Sequence, residues 1–189
     1  MTTALTLAEV TIGVMGSGTE SHDEVASEIG ALLAGLRVNL LTGGGEGVMA
    51  SVSRAFTQAE RQRGICIGII PSLSEIVRDR PRPGYPNRFV ELAIHTHLPH
   101  SGPLGKDMLS RNHINVLSSA GVIALPGGEG TASEVSLAMD YNKPVIAYAR
   151  DLKQLAQLPE LVPRTTSLAD VEAFVRNLCD VGETAAELS

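Results

Sequence analysis

At 189 residues the chain is long enough for one well-cored α/β domain and too short for two, so a single domain over 1–189 is expected. A net charge of −6 and an aromatic content of 3%, with no tryptophan, argue against both a basic stripe and a base-stacking platform for nucleic acid. No apolar run reaches membrane-spanning length, no secretory leader is visible, and Cys66 and Cys179 show no disulfide pattern, so a cytoplasmic protein without membrane or nucleic-acid partners is expected.

The apolar run 10–15 predicts a first strand, which ends in Gly16-Ser17-Gly18. Ser21 and Glu24 have capping-box spacing, and Val25, Ile29, Leu32, Leu33 and Leu36 follow at helical intervals. A second strand over 38–41 runs into Thr42-Gly43-Gly44-Gly45. A helix over 47–61 then leads to a third strand, 65–70, which Pro71 ends. Residues 72–88 break the rhythm with Pro81, Pro83 and Pro86 beside Arg78, Arg80 and Arg82. They predict an irregular excursion, either a solvated loop or a lid over an anion. A strand over 89–94 and irregular chain over 95–105 precede a helix over 106–118. Strand 122–125, helix 132–141 and strand 145–148 complete the main alternation. Ser167 is the predicted cap of a last helix, 168–178, with a frayed tail over 182–189.

Strands that are apolar throughout, alternating with helices, predict an α/β fold: a Rossmann-like, doubly wound parallel sheet with helices on both faces. Glycine-rich turns follow three of the strands, at Gly16, Gly43 and Gly127. In such sheets ligands bind beyond the carboxyl ends of the strands, where these turns lie.

The most informative turn is Pro126-Gly127-Gly128-Glu129-Gly130-Thr131, between an apolar strand and a helical pattern. Glycines there let backbone N–H groups converge on one spot, and the start of a helix adds partial positive charge, which suits a phosphate. Glu134, one helical turn further on, stands beside such a phosphate. Thr131 and Glu134 also satisfy the T-x-x-E capping box, and sequence leaves both roles open. Gly16-Ser17-Gly18 is an imperfect dinucleotide fingerprint, and no G-K-[ST] element of a nucleoside triphosphatase occurs. His95, His97 and His100 have no nearby cysteine or ordered carboxylate to complete a metal set, so no metal is expected.

Pro126-Gly127-Gly128-x-Gly130-Thr131-x-x-Glu134 resembles the signature of the LOG family, also known as lysine-decarboxylase-like. Gly43-Gly44-Gly45-x-Gly47-Val48-Met49 resembles that family's second glycine turn, Met108-x-x-Arg111 its M-x-x-R-K element, and Lys143-Pro144-Val145 its entry into the next strand. The resemblance implies a phosphoribohydrolase that cleaves nucleoside 5′-monophosphates to base and ribose 5-phosphate, with Arg111 and Glu134 as catalytic pair and no cofactor. The candidate ligand-binding residues are Gly16, Ser17, Gly43, Gly44, Gly45, Met108, Gly127, Gly128, Gly130 and Thr131. A carboxylate there would stabilise the positive charge that builds on the sugar as the bond breaks.

Where the family has R-K this chain reads Arg111-Asn112, and the segment 110–115 is more similar to a sister branch that includes the molybdenum cofactor carrier protein. That likeness implies an alternative: a binding or carrier protein for a phosphorylated ligand, a pterin or a nucleotide. The resemblance further implies a homo-oligomer, dimer or tetramer, built on the helices near the signature, where Ile114, Val116 and Leu117 suit either such an interface or the core.

Overall fold

A computed structural model of the chain describes residues 10–59 and 64–186. Strands β1 (Thr11–Met15), β2 (Asn39–Thr42), β3 (Cys66–Ile70), β4 (Leu92–His95), β5 (Gly121–Ala124), β6 (Val145–Tyr148) and β7 (Arg164–Thr165) form one sheet. All pairings are parallel, in the order β4-β3-β2-β1-β5-β6-β7. The chain therefore winds outward from β1 to β4, then returns to place β5 on the other side of β1. That reversal is the switch point at which sheets of this kind open a crevice.

Successive side chains of a strand point to opposite faces, and both faces here are apolar. Ile12, Val14, Leu40, Ile123 and Tyr148 pack beneath helices α1 (Asp23–Leu36), α2 (Val48–Thr57) and α5 (Leu168–Ala186). Met15, Leu41, Ile69 and Val122 face the opposite way, against α3 (Asn112–Leu117) and α4 (Glu129–Asp140). Phe56, from α2, has no exposed surface, and burial of such a side chain contributes about 1.5–3 kcal/mol. The predicted doubly wound α/β class is thus the observed one. Among the described residues no helix is long and apolar enough to cross a membrane.

Several predicted boundaries move for identifiable reasons. The helix expected over 106–118 is only Asn112–Leu117. Asp107 Oδ1 instead accepts from Leu109 N at 2.8 Å and closes a non-helical turn, which leaves Arg111 at the N-cap position of α3. The strand expected over 89–94 is Leu92–His95, because the Asn87 side chain captures Phe89 N at 3.0 Å and holds 87–90 in a turn. The predicted start at Ser21 shifts: His22 occupies the N-cap in the left-handed region, and its side chain makes no capping bond. Asp23 is engaged instead by Ser51 Oγ at 2.6 Å and Arg54 Nη2 at 2.9 Å, which ties α1 to α2 and holds the carboxyl below its usual range.

Ser167 does accept from Asp170 N, at 3.4 Å, but the last helix runs through Gly182 to Ala186 rather than fraying there. Helix α2 ends at Thr57 with Gln58 as its C-cap and Ala59 outside any helix, short of the predicted end; residues 60–61 of that helix lie outside the described residues, as do 187–189 of the tail. The two-residue strand β7 was too short to show any periodicity.

Candidate functional site

Beyond the carboxyl ends of β1, β2 and β5 the three glycine turns meet around a cleft of about 260 Å³. Ser17 stitches them together. Its N–H donates to Pro126 O at 3.0 Å, its carbonyl accepts from Val48 N at 2.9 Å, and its Oγ accepts from Glu20 N at 2.9 Å. Gly47 has φ +65°, and its Cα lies against the Ser17 carbonyl, so a side chain there would be both strained and blocked.

The floor is a buried polar cluster. Arg111 and Glu134 are 4% and 7% exposed, and Nη1 of the arginine lies 3.5 Å from Oε1 of the glutamate. Asn115, on the next turn of α3, donates its Nδ2 to the same oxygen at 2.8 Å. Burial pushes the Glu134 carboxyl above its usual range, while Arg111 and then the Asn115 bond pull it back. The guanidinium lies on the Cα of Gly43, in space that a Cβ would occupy. Gly43 is therefore glycine so that Arg111 can reach Glu134.

Helix α4 starts at this cluster. Gly128 is its N-cap and Ala132 N→Gly128 O, at 3.0 Å, its first internal bond, so the N–H groups of Glu129, Gly130 and Thr131 precede the ladder. Thr131 Oγ1 is buried against Gly127 with no hydrogen-bond partner in the protein. The same is true of Arg111 Nε and Nη1 and of Asn115 Oδ1. Asn115 Oδ1 is an acceptor, whereas Thr131 Oγ1 and Arg111 Nε are donors left without a hydrogen-bond partner near a helix N-terminus, an arrangement that can serve an anion. The capping-box reading fails, because Thr131 lies inside the helix and the Glu134 carboxyl faces Arg111 and Asn115.

The structure thus gathers Gly16, Ser17, Gly43 and Arg111 with Gly128, Gly130, Thr131 and Glu134 around one cleft. Gly44, Gly45 and Gly127 sit behind it: Gly44 and Gly45 offer their carbonyls to Asn87, and Gly127 makes room for Thr131. Met108 is not in the cleft; it is 90% exposed on the turn that Asp107 closes. Sequence reading missed Asn112, Asn115, Ser101 and Tyr85. For Asn115 a signal existed, four residues after Arg111 on one helix face. For Tyr85 and Ser101 there was none, since both arrive on irregular segments.

Among the described residues no group of three His, Cys, Asp and Glu side chains could hold a metal. His100 is instead held between two acids, with Nδ1 2.9 Å from Asp107 Oδ1 and Nε2 2.9 Å from Glu75 Oε1. Only the imidazolium donates to both, and the Glu75 bond, followed by that to Asp107, raises the His100 pKa.

A family model described as SLOG cluster4 matches residues 9–174. The molybdenum cofactor binding protein of Rippkaea orientalis is 34% identical, with a TM-score of 0.65 over 89% of this chain and 96% of that one. The molybdenum cofactor carrier protein of Chlamydomonas reinhardtii is 30% identical, with a TM-score of 0.66 over 89% and 97% of the two chains. An uncharacterized protein of Archaeoglobus fulgidus is 30% identical over 136 residues, 71% of this chain and 76% of its own. Sheet order, glycine turns and these matches agree: the chain belongs to the SLOG cluster4 family, within the wider LOG-like group.

Proposed function

We propose that this protein binds a small phosphorylated heterocycle, foremost the phosphorylated pterin of the molybdenum cofactor, and holds it as cargo. The observation that carries this reading is a pair of donors without a hydrogen-bond partner, Thr131 Oγ1 and Arg111 Nε, beside the N-terminus of a 12-residue helix. The phosphate lies on the N–H groups of Glu129, Gly130 and Thr131, the Thr131 hydroxyl donates to it, and Arg111 supplies a fixed positive charge. Glu134 and Asn115 keep the guanidinium from turning away. The resemblance to two molybdenum cofactor proteins at 34% and 30% identity supports a pterin over other heterocycles.

A second reading, hydrolysis of a nucleoside 5′-monophosphate, is favoured by the Glu134 carboxyl, which lines the cleft one turn inside the helix that starts at the cradle. In that reaction Glu134 would steady the cationic sugar and guide water to it. Both readings place a homo-oligomer around one Rossmann-like unit. Leu117, 51% exposed on α3, suits a helix that meets a second copy, whereas Val116 is core and Ile114 packs partly against it.

Calorimetric titration of the purified protein with molybdenum cofactor, AMP and other monophosphates, with assay of free base and ribose 5-phosphate, separates the two. Tight binding without product, preserved in Glu134→Gln, supports the carrier. Product formation abolished by Glu134→Gln supports the hydrolase. Failure of every phosphorylated compound to bind rejects both.

A further inference from the structure

The excursion 72–88 docks on the second glycine turn rather than on solvent. Asn87, 5% exposed, donates its backbone N–H to Gly44 O at 2.7 Å and its Nδ2 to Gly45 O at 2.8 Å. Two residues earlier, the ring of Tyr85 lies on Gly45, where an added Cβ would stand 2.6 Å from both Cζ and Oη. Further back, Arg82 accepts Tyr85 N on its carbonyl at 3.1 Å, and its guanidinium bonds Ser101 Oγ at 3.0 Å and Pro99 O. Tyr85 is therefore held on both sides, between a turn fixed to the cleft rim at Ser101 and an anchor buried under the glycine turn.

The ring so held lines the same cleft as the phosphate cradle, with the thioether side chain of Met49 also on its wall. The other described Phe and Tyr rings are engaged elsewhere: Tyr148 and Phe56 are fully buried, Phe174 packs against the core, Phe89 carries the Arg88 guanidinium 4.8 Å from its centroid, and Tyr141 packs on His113. Gly45 follows β2 and Gly128 follows β5, and these strands flank β1. The two ends of the cleft are thus about 10 Å apart, two strand spacings. One end holds donors suited to an anion and the other an aromatic ring.

We propose that Tyr85 is the face on which the ligand's planar ring stacks, so that the cleft selects phosphorylated heterocycles over bare sugar phosphates. This rests on the phosphate-site reading above and adds what occupies the far end. A flat ring on a tyrosine gains dispersion and π contact that ribose 5-phosphate cannot make. The fixed position of the phenol means that little ordering entropy is lost on binding.

The test is titration of wild type, Tyr85→Ala, Tyr85→Leu and Tyr85→Phe with AMP, a pterin monophosphate and ribose 5-phosphate. The expected result is that Ala and Leu weaken the two heterocycles by about tenfold or more and leave ribose 5-phosphate within about twofold, while Phe matches wild type. Leu keeps apolar bulk over Gly45 and so separates loss of the ring from loss of packing. If all three ligands weaken together, or none does, Tyr85 is a packing residue and the proposal fails with the phosphate site intact. If wild type binds none of the three, the phosphate site itself is rejected.

Discussion

Two glycines that look alike in sequence should respond oppositely to a methyl group. In Gly43→Ala the new Cβ falls on the Arg111 guanidinium, overlapping Cζ and both terminal nitrogens. Arg111 is 4% exposed, so its displacement repacks the core or expels the charge to solvent, and either route breaks the contact with Glu134. Overpacking of this kind costs about 2 kcal/mol. For a chain of this length that is a fall of about 4–8 °C in Tm. At Gly128 the nearest atom to an added Cβ is Gln157 Oε1, at 4.0 Å, and φ is −100°. Gly128→Ala should therefore unfold within about 2 °C of wild type. Its methyl projects at the α4 N-terminus, where the phosphate is proposed to lie, and should weaken AMP or pterin phosphate about tenfold or more. Thermal unfolding by circular dichroism without ligand reads the first effect, and calorimetric titration reads the second. A Gly43→Ala protein as stable as wild type would refute the packing argument, and a Gly128→Ala protein of undiminished affinity would refute the cradle.

The unpaired Thr131 hydroxyl makes a sharper case. Thr131→Val removes a buried group that has no partner, so unfolding in the absence of ligand should shift by no more than about 0.5 kcal/mol, or rise. Affinity for a phosphorylated ligand should fall about 10- to 150-fold, the loss of one bond to a charged group; equal affinity in a titration would remove Thr131 from the site. The third prediction concerns pH. The His100 pKa is raised in the folded protein by Glu75 and then Asp107, so its contribution is fully present below the unfolded value of about 6.5. It is lost as pH climbs through the folded value. The difference in Tm between wild type and His100→Gln should be largest below about pH 6.5 and shrink as pH rises above it, and a difference that stays constant contradicts the two-acid bridge.

The alternation of apolar runs with helical periodicity was enough to place six of the seven strands and the main helices. β7 escaped because two residues carry no period. The errors fall where a single side chain redirects the backbone: Asp107 unwinds the predicted start of α3, and Asn87 delays β4. At the site, the strand, glycine turn and helix start that meet at Gly128 were legible because the constraint is local. The motif also pointed to Arg111 and Glu134, and the structure sets them 3.5 Å apart. It suggested Met108 equally, and that side chain stands in solvent.

Sequence alone determined the parallel α/β architecture, the carboxyl-end location of the cleft and the helix that starts at its glycine turn, because each depends on neighbours in the chain and on a backbone period. Tertiary structure decided what the glycines are for. Gly43 makes room for an arginine from another helix, Gly45 for a tyrosine from a distant excursion, and Gly128 and Gly130 border the cleft itself. Those distinctions arise from contacts between segments dozens of residues apart, for which no local pattern exists. They appear only once the sheet order brings β2, β1 and β5 side by side.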